Sequence, residues 1–197
     1  FAEQPRAQHE QRLAGTGRLR LHDSVLAGVP VEGAATLGYN AAGGANPGSL
    51  RADLQLGGNR LHFEGEGDPA GSGSGDRWRA EMQGTNLTTL APLTRLHASL
   101  AGWVPRRGSI DAEVSTEGRW PPVASQRRAR TEDLQLGTLA LSRAQLSWRI
   151  DLTELATGRA PLAFEGQAAD LRLAERSLGD LRAELRGTLA EHRIELR

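Results

Sequence analysis

Apolar residues occupy every second position through most of this chain, and the pattern restarts after each glycine-rich turn. Leu54-Gln55-Leu56, Leu61-His62-Phe63, Leu134-Gln135-Leu136, Leu139-Ala140-Leu141, Leu171-Arg172-Leu173 and the run from Leu181 to Leu185 all show it. Between the apolar residues stand mostly Arg, Glu, Gln, Asp or His. A β-strand with one dry face and one wet face requires this alternation. The same parity joins Trp78 to Met82, Ile110 to Val114, Leu146 through Trp148 to Ile150, Leu162 to Phe164, and Ile194 to Leu196.

The elements follow from where the alternation starts and stops. Residues 1–17 read as a polar lead-in, and 18–197 as a single β-rich segment. Arg18 to Val31 predicts two short strands hinged near Asp23 and Gly28-Val29-Pro30. Residues 41–49 (AAGGANPGS) are a loop by composition. Arg51 to Glu64 is the clearest hairpin, because the apolar parity switches from even to odd across Gly57-Gly58-Asn59. GSGSGD at 71–76 predicts a second loop tip.

Asn86 to His97 departs from this rule. Leu87, Leu90, Leu93 and Leu96 recur at helical spacing around Pro92, which predicts one short helix with Asn86 as a candidate N-cap. Strands resume from Ser109 to Thr116, pause at Trp120-Pro121-Pro122, and run from Glu132 to Leu152. Beyond the loop TELATGRAP they continue to the end. Residues 174–190 also fit helical spacing, but Gly179, Gly187 and the period of two at 181, 183 and 185 favour a strand. Asp53-Leu-Gln-Leu-Gly returns at Asp133, and Phe63-Glu-Gly returns at Phe164. The spacings are unequal, so the chain is a loose array of hairpins without a fixed period.

Composition narrows the functional classes. Basic and acidic residues number 24 each, giving a formal net charge of zero, so nothing attracts nucleic acid or an anionic surface. There is no Cys, which removes disulfides and thiolate metal sites. With 24 Gly but only four Trp, three Phe and one Tyr, the apolar face is aliphatic and small. The chain opens on Phe1 and stops in mid-pattern, which reads as a piece of a longer polypeptide whose anchor or targeting signal lies elsewhere.

No catalytic constellation competes with the strand pattern. The five His are scattered, and His62 and His192 read as solvent-facing. Glu64, Glu66 and Asp68 read as a solvated strand end, and a single glycine-aspartate stretch cannot build a stacked calcium site. There is no phosphate-binding loop or nucleophile elbow, so neither an enzyme, a metal nor a cofactor is expected. Trp78 and Trp148 fall on apolar parity. Trp103 and Trp120 stand near prolines, as plugs of strand ends.

Several phrases, in order, resemble the TamB family, the inner-membrane-anchored subunit of the translocation and assembly module of Gram-negative bacteria. They are LRLHDSVLAGVPVEGAATLGY, LRADLQLGGNRLHFEGEG, MQGTNLTTLAPL, SIDAEVSTEGRWPPVAS and LRAELRGTLAEHRIELR. The last phrase and the GGN turn are the most specific, and the resemblance spans residues 18–197. It implies a periplasmic, elongated sheet of antiparallel or mixed strands, curled into an open half-pipe with an apolar concave face. It also implies AsmA-like lipid transport between membranes, a TamA-like outer-membrane barrel partner, and a role in outer-membrane and autotransporter protein assembly.

The residues make the same architecture reasonable. A single sheet with one dry face and no second layer must bend over that face, and Ala and Gly on strands permit the curvature. Phospholipid acyl chains are the expected occupants, since an aliphatic lining offsets the cost of water against each CH2. The expected lining comprises Leu54, Leu56, Leu61, Phe63, Trp78, Met82, Ile110, Val114, Leu134, Leu136, Leu146, Trp148, Ile150, Leu162, Phe164, Leu171, Leu173, Leu181, Leu185, Ile194 and Leu196. Two alternatives stay open: an assembly chaperone that binds nascent strands of outer-membrane proteins, and a closed β-sandwich or adhesin repeat.

Overall fold

A computed structural model describes residues 14–40, 47–68, 75–118, 124–151 and 158–197. The first part of the lead-in, most of the loops at 41–49 and 71–76, the Trp120-Pro121-Pro122 pause and most of TELATGRAP lie outside the described residues. The fold is all-β. Among the described residues, eleven strands form one open, curled sheet in strict chain order, each antiparallel to the next. They are β1 (Ala14–Leu26), β2 (Val29–Asn40), β3 (Gly48–Leu56), β4 (Asn59–Gly67), β5 (Arg77–Gly84), β6 (Pro105–Glu117), β7 (Ala124–Leu136), β8 (Leu139–Asp151), β9 (Pro161–Leu173), β10 (Arg176–Thr188) and β11 (His192–Leu196). β1 and β11 are the edges, and they do not pair with each other. Ten spacings of about 4.8 Å give a sheet roughly 48 Å wide across its strands.

The contested stretch is a strand, β10, and every pairing is antiparallel. The hinge expected near Asp23 is instead a β-bulge within one long strand: Leu21 pairs with Gly33 and Ser24 with Val31, so His22 and Asp23 together oppose Glu32. Ala27 and Gly28 then make the turn, with φ of 51° and 91°, and Gly57 and Gly58 repeat it with 56° and 84°. Positive φ at both central residues is the turn geometry that matches strand twist.

A shared sequence, Asp-x-x-Leu, precedes all four two-residue turns, and three of them add a backbone irregularity. Asp23, Asp53, Asp133 and Asp170 each stand three residues before a strand-terminal Leu: Leu26, Leu56, Leu136 and Leu173. At Asp23, Asp133 and Asp170 the backbone is left-handed, with φ of 51°, 53° and 53°. Asp tolerates that region better than most side chains. The irregularity moves the apolar residues from one parity to the other, as from Ala129 and Thr131 to Leu134 and Leu136, and so keeps them on one face.

The two-residue turns lie at one end of the sheet, and the segment between β5 and β6 covers the apolar face there. It holds two 3₁₀ helices, Leu87–Leu96 and Ala98–Trp103, in place of the single short helix expected. Pro92 lies inside the first and has no N–H for an α-helical ladder. Asn86 makes no side-chain cap. Trp103 is 56% exposed, so it does not plug a strand end.

Leu87 inserts among Leu134, Leu141 and Ala144, and Met82, Leu90, Ile110, Leu136, Ala168 and Leu171 pack around them. Asn59, only 2% exposed, pins the segment. Its Nδ2 donates to Leu56 O at 3.0 Å, Asn86 O at 3.1 Å and Thr89 Oγ1 at 3.0 Å, while its Oδ1 accepts from Asn86 N–H at 3.1 Å. A methyl group on Gly57 would strike the Thr89 side chain, so the turn and the covering segment fit only with glycine there.

Candidate functional site

Away from that covered end, and among the described residues, the apolar face is lined by strand residues alone. Three rows of directly opposed residues cross all eleven strands. The middle row runs Leu19, Ala35, Ala52, Phe63, Ala80, Val114, Arg127, Trp148, Phe164, Leu185 and Ile194. Toward the turns lies Leu21, Gly33, Leu54, Leu61, Met82, Ala112, Ala129, Leu146, Gly166, Ala183 and Leu196. Toward the long loops lies Gly17, Leu37, Leu50, Gly65, Trp78, Thr116, Ser125, Ile150, Leu162, Gly187 and His192.

Cross-strand pairing thus places the expected lining residues on one face. They differ in what covers them. Leu134 is buried, and Met82, Ile110, Leu136 and Leu171 pack against the Leu87 cluster, so these five hold the covered end together. Leu54, Leu56, Leu61, Phe63, Trp78, Val114, Leu146, Trp148, Ile150, Leu162, Phe164 and Leu185 are half-buried. Leu181, Ile194 and Leu196 are exposed near the β11 edge, and Leu173 is exposed at the β9–β10 turn.

The floor is built by large side chains lying over small ones. Trp78 stacks on Phe63 with ring centroids 5.5 Å apart, and its ring occupies the space a side chain at Gly65 would need. Phe164 and Leu146 approach Gly166 in the same way. Aromatic cover over strand glycines offsets the packing that glycine lacks.

The opposite face carries charge in pairs within and between strands. Arg79 Nη2 lies 2.7 Å from Glu81 and 2.8 Å from Glu113, and Arg128 Nη2 lies 3.1 Å from Glu113. His62 is on this face, as expected, but it is not isolated. Its Nδ1 is 2.6 Å from Asp53 Oδ1 and its Nε2 is 3.5 Å from Glu64 Oε2. The Asp53 hydrogen bond raises its pKa above the ordinary 6.5, against a smaller opposing effect of burial. A shallow concavity of 330 Å³ lies beside it, bordered by Arg60, Glu81 and Gln83. Among the described residues no group of three or more His, Asp or Glu side chains could hold a metal ion, and no helix is long and apolar enough to cross a membrane.

His192 is exposed, as expected, although it stands on the same face as Ile194 and Leu196 at the open edge. One sequence reading needs correction. The strand expected from Glu132 begins at Ala124, and its first half brings Ser125 and Arg127 onto the apolar face. No apolar alternation marks SQRRAR as a strand; only its partners reveal it. No family model, curated protein or solved structure matches this chain.

Proposed function

We propose that this chain is a section of a TamB-like envelope protein whose apolar trough carries phospholipid acyl chains between the inner and outer membranes, in support of outer-membrane and autotransporter protein assembly. One observation carries the reading. The dry face runs across all eleven strands, and among the described residues the segment between β5 and β6 covers it at one end only. A sandwich would bury that face under a second sheet, whereas the described residues form one sheet with two separate edges.

The energetics suit a lipid tail. Each CH2 taken from water is worth about 0.8 kcal/mol, and half-buried Leu, Val, Ile and aromatic side chains supply matching surface from β3 to β10. An aliphatic lining without repeated polar anchors holds a chain while leaving it free to slide. On this reading the protein works in the periplasm, joined to an inner-membrane anchor and a TamA-like barrel.

The test is extraction of a phospholipid with a fluorescent acyl chain from vesicles. The native chain should extract it, and Phe164→Asp combined with Leu61→Asp should not, with far-UV circular dichroism unchanged. Failure of the native chain to take up lipid would overturn the reading. Leu136 is unsuitable for this test, because it packs against the buried cluster and a charge there would disturb the fold.

A further inference from the structure

Arg127 is the one charged side chain in the three rows that cross the apolar face. It stands opposite Val114 on one side and Trp148 on the other. Its guanidinium carbon lies 5.1 Å from the Trp148 ring centroid, and its Nε is buried with no hydrogen-bond partner. Two residues away on the same face, Ser125 Oγ is also buried without a partner, and Thr116 lies directly opposite Ser125. The next arginine along the strand, Arg128, points to the other face and pairs with Glu113 at 3.1 Å.

A cation set among apolar side chains is costly unless an anion meets it. The ring of Trp148 offsets part of that cost, but it offers no acceptor in the plane of the guanidinium. No carboxylate occupies any position of the three rows. The pattern is therefore an unfilled demand for negative charge, displayed inside a greasy channel next to a spare hydroxyl.

We infer that Arg127 and Ser125 form a headgroup site for the phosphate of a phospholipid whose acyl chains lie in the trough, an inference that rests on the lipid-carrying reading above. A phosphate diester presents two charged oxygens. The guanidinium fork can donate to both, and a hydroxyl beside it adds a further donor. Apolar rows continue from β7 for about 29 Å toward β1 and about 19 Å toward β11, at roughly 4.8 Å per strand. A tail thus finds dry surface on either side of the anchored head. The site gives an otherwise featureless channel one place where lipids pause, which sets their orientation and spacing.

The test compares three probes: phosphatidylglycerol, diacylglycerol with the same chains, and palmitate. Binding of each is measured to the native 197-residue chain, to Arg127→Met, which keeps the bulk and removes the charge, and to Arg127→Lys, with melting curves confirming the fold. Arg127→Met should weaken phosphatidylglycerol by about tenfold or more while leaving diacylglycerol unchanged, and Arg127→Lys should recover part of the loss. Equal losses for both glycerolipids would make Arg127 a packing residue and overturn the inference. Unchanged phosphatidylglycerol binding, or an arginine-dependent loss confined to palmitate, would also overturn it while leaving the trough reading intact. If the native chain binds none of the three, the trough reading fails and the headgroup site with it.

Discussion

Replacing Asn59 with alanine should release the segment that covers one end of the apolar face. The side chain is 2% exposed and makes its bonds across the gap between the β3–β4 turn and the start of the first 3₁₀ helix. Its Nδ2 carries two hydrogens shared among four acceptors, two of them in the β3–β4 turn, and its Oδ1 holds the Asn86 N–H. Counting two bonds to the covering segment at about 1 kcal/mol each, and about 1 kcal/mol for the void left by the amide, the loss is about 3 kcal/mol. For a chain of this size that corresponds to a fall in Tm of roughly 6–12 °C. Urea denaturation and a thermal scan measure it, with Gln55→Ala on the exposed charged face as the control. An environment-sensitive apolar dye should also bind the variant more strongly, as the Leu87 cluster opens. A loss below 1 kcal/mol, or a dye signal equal to that of Gln55→Ala, would refute the view that Asn59 pins the cover.

Asp133 has φ of 53°, so Asp133→Gly should be near neutral and Asp133→Val should cost about 1–2 kcal/mol; equal effects in urea denaturation would remove the proposed role of the left-handed residue. Gly65→Ala should displace the Trp78 ring and cost about 1–3 kcal/mol, read as a change in tryptophan fluorescence together with the melting curve. His62 should titrate above 6.5 by NMR, and Asp53→Asn should bring it down. Because the folded pKa is raised, the stabilisation from this pair is fully present below about pH 6.5 and is lost as pH rises through the folded pKa. A native chain whose stability relative to Asp53→Asn grows over that rise would contradict the assignment.

The strands were legible in the sequence wherever Leu alternated with charge, because a sheet with one dry face leaves no other solution. The hairpin at Gly57-Gly58 followed from turn residues and parity, whereas the turn at Gly137-Thr138, which divides the stretch read as running from Glu132 to Leu152 into β7 and β8, did not. What stayed hidden depended on partners. Residues 124–131 form half of β7 although SQRRAR has no apolar rhythm, since β6 and β8 hold it in register on both sides. Arg127 was invisible as a site residue for the same reason. Asn59 read as part of a turn, yet its amide is the anchor of a segment 27 residues later. The Asp-x-x-Leu sequence before each two-residue turn was half seen, at Asp53 and Asp133. Its members at Asp23 and Asp170 lacked the Leu-Gln-Leu context, and only the backbone angles show what three of the four share. Trp103 was misplaced because a neighbouring proline says where a chain turns, not what the side chain then meets.

Site-specific photocrosslinking in cells tests the central claim most directly. A crosslinking residue at Phe164, on the apolar face, should trap phospholipid, while one at Glu165, next in the strand but on the charged face, should not. Crosslinks to polypeptide at Phe164, with no lipid, would contradict the account and favour a strand-binding chaperone. Equal lipid capture at both positions would show that the trough confers no selectivity at all.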